Sequence, residues 1–116
     1  MRLVPIERDK LNNHQRTVLE AIENGPRAAG RPDIGMIGPF AAWVRAPNVG
    51  QAIQRVGEAI RFNTSLASNV QEVAICTVGA HHRSRFEFSA HRALAIKAGV
   101  SEQSLDQLAT GERPDF

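Results

Sequence analysis

The chain has almost no cysteine: Cys76 stands alone among 116 residues. One thiol excludes an intrachain disulfide framework and a zinc site built on paired cysteines. Aromatics are scarce as well, five Phe and one Trp, so aliphatic side chains and alanine must fill the core. No stretch approaches the roughly 20 apolar residues of a membrane span. The opening run Met1-Arg2-Leu3-Val4-Pro5 has no apolar centre of the secretory kind. An excess of one charge is also missing: 14 Lys and Arg against 12 Asp and Glu leave only +2. A nucleic-acid surface needs a clustered cationic excess, with aromatic platforms where single strands bind. The basic residues here are spread along the chain, so neither nucleic acid nor membrane is an expected partner. The expected location is cytoplasmic.

What is present reads as helix. Hydrophobic residues at 42% and charged residues at 22% give a globular balance and a single domain over 1–116. Asn12 or Asn13 caps a first helix, with Val18, Leu19 and Ile22 as its apolar stripe and Asn24-Gly25-Pro26 as its end. A Gly/Pro-rich ordered loop follows, so 10–37 forms an N-terminal helix and loop and 38–110 a helical core. Phe40 to Val44 make a short apolar helix stopped near Pro47. Asn48 opens a stronger one, in which Val49, Ile53, Val56 and Ile60 recur at spacings of three and four. Gln54, Arg55, Glu58 and Arg61 turn outward on that helix. Ser68 with Gln71, and Ser84 with Glu87, fit capping boxes that start two more helices. The second of these runs to Gly99, and Ser101 opens a last short helix with Leu105 and Leu108. The fold class is all-α.

Glu72 is an anomaly. It shares a helix face with Ile75, Cys76 and Gly79, where a carboxylate needs a partner or water. It either sits in an interior with a partner or lies in the first turn, facing solvent and favoured by the helix dipole. Glu87 and His91, one turn apart, form either an acid–base pair in which the carboxylate holds the imidazole tautomer or a cap beside a core histidine. His81 and His82 point about 100° apart on a helix, which suits no shared metal, so no metal site is expected. Cys76 reads as a small core residue, and Phe40 and Trp43 as core or interface anchors.

The run from Gln71 to Cys76, then Phe86-Glu87-Phe88 with His91, then Ala98-Gly99-Val100-Ser101, resembles the carboxymuconolactone decarboxylase family of the alkylhydroperoxidase-D-like superfamily. Upstream, Gly38-Pro39-Phe40 and the run from Arg61 to Leu66 resemble the N-terminal extension of longer members. The likeness covers residues 10 to 113. In the peroxidase branch a glutamate precedes a Cys-x-x-Cys pair and a histidine. Here Glu72 and His91 stand at the ends of that pattern, while Ser84 and Glu87 occupy the cysteine positions, 12 and 15 residues beyond Glu72. Neither side chain can act as a thiolate. The resemblance therefore implies the decarboxylase branch: a cofactor-free lyase acting on a small carboxylated, lactone-like compound of aromatic catabolism. His91 would be its general acid, oriented by Glu87 and supported by Glu72, with Arg83, Arg85 and Ser84 as candidates to hold the substrate carboxylate. The family also implies a homo-oligomer, a trimer or hexamer, and a further C-terminal helical segment in longer members. A non-catalytic helical oligomer or binding protein on the same scaffold is the competing class, and a thiol peroxidase the third.

Overall fold

Asn12 starts the first helix with two reciprocal hydrogen bonds. Gln15 N–H donates to Asn12 Oδ1 at 3.0 Å, and Asn12 N–H donates to Gln15 Oε1 at 3.1 Å, a complete capping box. The computed structural model describes residues 3–115. Met1, Arg2 and Phe116, which belong to the 1–116 domain reading, lie outside the described residues. Among the described residues six α-helices follow in order: α1 (Asn13–Glu23), α2 (Gly38–Arg45), α3 (Pro47–Phe62), α4 (Ser68–His81), α5 (Arg85–Lys97) and α6 (Glu102–Thr110). Among the described residues there is no strand, so the chain is all-α there. No helix among them is long and apolar enough to cross a membrane.

The packing divides after Thr64, inside the stretch 38–110, into two compact units. In the first unit, α1 buries Val18, Leu19 and Ile22 against Leu11, Ala28, Ile34 and Val44, with Phe40 and Trp43 packed on the cluster. The Gly/Pro-rich stretch is ordered. It carries a 3-10 turn at Ile34–Met36, and Arg8 ties it to α1 by bonding Glu23 at 2.6 Å and Asp33 at 3.1 Å.

Prolines lie in the first turns of α2 and α3, where a missing N–H costs nothing. Gly50 lets α3 run directly over α2: a Cβ at this position would collide with the Trp43 carbonyl, a backbone group that cannot step aside. Gly50→Ala is therefore expected to destabilise the protein by about 1–3 kcal/mol, the cost of overpacking, despite the better helix propensity of alanine. Urea denaturation followed by circular dichroism would check this, and an unchanged or raised midpoint would refute the close approach.

The orientation of α3 departs from its periodicity. Gln54 is buried and Glu58 and Arg61 are half-buried, while Val49, Ile53, Val56 and Ile60 are exposed. Gln54 Nε2 donates to Glu58 Oε2 at 2.9 Å along the inner side. The face that packs is the one that fits: Gly50 and Gly57 supply small surfaces against Trp43 and the Arg27 guanidinium, and the bulkier aliphatic face is left outside.

The second unit packs α5 and α6 on α4 around Cys76, Ala95, Val100, Leu105 and Leu108. Neither serine capping box in this unit forms. Ser68 is the first residue of α4, Ala67 is its cap, and Ser84 caps α5 without a side-chain bond. Instead, Ser84 N–H donates to the Gly79 carbonyl at 2.8 Å, with Arg83 in the left-handed region at φ +53°. These are the marks of a Schellman-type end to α4, so Ser84 is occupied in ending one helix rather than capping the next with its hydroxyl. At the start of α6, by contrast, the Ser101 Oγ does accept from Ser104 N–H.

Candidate active site

α4 and α5 form an antiparallel pair joined by the tight turn His82–Ser84. Gly79 permits the pair to close, since a Cβ there would lie 3.2 Å from the Phe88 backbone nitrogen. Doubling back at this distance lays α5 along α4, and Glu72 on α4 meets His91 on α5. His91 Nδ1 and Glu72 Oε2 are 2.6 Å apart, with the two side chains only 11% and 8% exposed. A carboxylate accepts, so Nδ1–H donates to it. That bond leaves Nε2 as the ring nitrogen turned away from Glu72.

Glu87 lies on the other side of the ring. Its Oε1 is 3.5 Å from His91 Nε2, and its side chain is 41% exposed. The three residues thus converge, but their order differs from the expected one. Glu72, not Glu87, is the close partner that orients the imidazole, and Glu87 stands at the solvent edge beside Nε2. An i,i+4 spacing is visible along a sequence, whereas the 19-residue separation of Glu72 and His91 becomes a contact only when the turn folds the helices together.

Cys76, one turn along α4 from Glu72, is fully buried. Burial raises its thiol pKa most, and the charges of Glu72 and then Glu87 raise it further, to about 11, with Arg92 acting weakly in the opposite sense. The thiol is a core group held protonated. Arg92 also binds Glu102 at 3.2 Å and Asp106 at 2.9 Å, fastening α5 to α6.

The remaining candidates do not gather at the imidazole. Arg85 is exposed at the first position of α5, and Ser84 is half-buried in the turn. Arg83 is exposed and lines a cavity of about 410 Å³ between the ends of α4 and α6, together with Thr77, His81 and Gly111. A second cavity of about 500 Å³, with Val70, Val73, Val100 and Ser104 in its wall, opens beside the start of α6. His81 and His82 stack edge to face at 4.9 Å and are exposed. Among the described residues, no group of three His, Cys, Asp or Glu side chains is arranged to hold a metal ion. Comparison with known proteins finds no matching family model, no similar curated protein and no similar solved structure.

Proposed function

We propose that the chain is an acid–base enzyme of the carboxymuconolactone decarboxylase kind, on an alkylhydroperoxidase-D-like helical scaffold. Its substrate would be a small carboxylated, lactone-like compound, and its reaction would need no cofactor. The observation that carries this reading is the buried 2.6 Å contact between Glu72 and His91. Loss of CO₂ leaves an electron pair on carbon that must be protonated. With Nδ1 held by Glu72, His91 Nε2 would take up a proton from solvent by way of Glu87 and give it to that carbon. Glu87, at the exposed edge, would relay protons between Nε2 and solvent. Holding the substrate carboxylate beside two glutamates requires a cation, and Arg85 at the first position of α5 and Arg83 in the turn before it are the candidates, with Ser84 as a neutral donor.

A non-catalytic binding role on the same scaffold is favoured by one specific observation: the two cavities described in this unit are lined by residues other than Glu72, Glu87 and His91. A thiol peroxidase ranks third, because Cys76 is buried and its thiolate disfavoured. The test is a screen of carboxylated lactones for CO₂ release and ring opening, with wild type, His91→Ala and Arg85→Ala. The expected result is turnover that falls at least ~10²-fold in His91→Ala, the scale of general acid–base catalysis, and a raised KM in Arg85→Ala. Turnover that survives His91→Ala, or peroxide consumption that vanishes in Cys76→Ala, would overturn the assignment.

A further inference from the structure

The first unit holds a cavity that the acid–base reading does not use. It lies between the end of α1 and the inner side of α3, and its volume is about 400 Å³, within the range of small-molecule sites. Asn24 and Gly25 line it from one side, and Gln51, Gln54, Arg55 and Glu58 from the other. Residues 51, 54 and 58 stand at helical spacings of three and four, so they share one face of α3. That face is rich in hydrogen-bond acceptors.

Gln54 is only 3% exposed. Its Nε2 donates to Glu58 Oε2 at 2.9 Å, which fixes the amide, because a flipped one would set oxygen against oxygen. Gln54 Oε1 is then left buried without a hydrogen-bond partner, and Gln51 Oε1 is in the same state. A buried amide oxygen lacking a donor is costly. Water would supply donors but no charge, and the third acceptor is charged. Glu58 is half-buried, and among the described residues it forms no ion pair. A Cβ on Gly25 would stand 3.4 Å from Glu58 Oε2, so the carboxylate faces the C-terminal end of α1. That end of a helix carries negative partial charge, which adds to the carboxylate instead of offsetting it. The inner wall calls for a cation with several N–H groups.

We propose that this cavity binds a small amino acid as its zwitterion, ammonium inward and carboxylate outward. A primary ammonium has three donors, one each for Glu58, Gln54 Oε1 and Gln51 Oε1. Both amide oxygens are closed to bulk water at rest. The half-buried Gln51 side chain, whose oxygen nothing holds, is the part that turns to admit the ammonium. Arg55 lines the same cavity but is exposed, so its guanidinium stands at the rim, where it meets the carboxylate. The same charge repels the second ammonium of a diamine.

The test is an NMR titration of the full, nitrogen-15-labelled chain with L-alanine, 4-aminobutyrate, butylamine and butyrate, each to about 10 mM. At least one of the two amino acids is expected to move the side-chain amide signals of Gln51 and Gln54, with a Kd of about 1 mM or tighter. Butylamine should bind at least about threefold more weakly, the scale of one exposed ion pair, and butyrate not at all. Arg55→Ala should remove the preference for the amino acid over butylamine. Glu58→Gln keeps an oxygen for Gln54 Nε2 but loses the charge, and affinity should fall at least about tenfold with the helical signal unchanged. Gln54→Leu should abolish binding while the melting temperature holds or rises, which a purely structural glutamine would not allow. If that variant does not fold, the other two decide. The proposal is overturned if neither amino acid moves the Gln51 and Gln54 signals, or if butylamine or butyrate binds as well as the amino acids. Wild-type affinity in Glu58→Gln, or an unchanged preference in Arg55→Ala, overturns it equally.

Discussion

His91→Leu is expected to destabilise the protein by about 3 kcal/mol, the upper end of the cost of taking a hydrogen-bond donor from a buried polar group. The Glu72 side chain is 8% exposed and holds His91 at 2.6 Å. Leucine fills the volume of the ring but leaves the carboxylate without its imidazole donor in a nearly dry place. The reverse change, Glu72→Leu, removes the charge itself and leaves a neutral ring lacking an acceptor, at about 1–3 kcal/mol. Glu72→Leu/His91→Leu should therefore lose much less than the sum of the two single losses, because two apolar groups of similar shape satisfy one another. Urea denaturation of the four proteins, compared by extrapolated free energy, measures the coupling. Additive losses below about 1 kcal/mol each would mean that the pair is an ordinary surface contact, and the site would lose its claim to a positioned imidazole.

Stability should also fall in alkaline solution because of Cys76. Its thiol is raised from 9.0 to about 11 in the folded chain by burial, then by Glu72 and Glu87. Below pH 9 the thiol is protonated in both states and contributes no pH dependence. Between pH 9 and pH 11 the unfolded chain releases the proton while the folded chain keeps it. Unfolding is then favoured increasingly with pH, by up to roughly 2–3 kcal/mol. The background is simple: the sequence has no tyrosine, and Lys10 and Lys97 are both exposed. Denaturation midpoints from pH 8 to pH 11 should decline in wild type and flatten in Cys76→Ala. Glu72→Gln should leave the onset of the decline in place but end it at a lower pH, with a smaller total loss, since one of the causes of the raised thiol pKa is gone. A wild-type profile no steeper than that of Cys76→Ala would place the thiol in contact with water.

Local patterns were legible where one helix decides its own fate. The six helices follow from periodicity, from the caps at Asn12 and Ser101, and from the breaks at Asn24, Pro47 and Gly99, because a backbone bond between neighbours in sequence needs no information from elsewhere. The serines at 68 and 84 misled for the same reason in reverse. A capping residue and a residue that ends the previous helix have similar sequence marks, and at Ser84 the close of α4 took the backbone N–H first. The left-handed Arg83 carries no signature of its own, since arginine adopts that conformation only where the turn between two packed helices requires it.

By itself the sequence determined the helices of the described residues and a lone core thiol, and it left Glu72 either facing solvent in a first turn or in an interior with a partner. Only the tertiary structure decided which partner. Glu72 reaches His91 because Gly79 lets α4 and α5 close and the turn sets their register, a geometry that depends on both helices at once. The same holds for α3. Its pattern shows an apolar stripe, but a stripe has no label for inside or outside. The direction was set by contact with other elements: the glycine face fits against the Trp43 backbone and Arg27, and the aliphatic face does not.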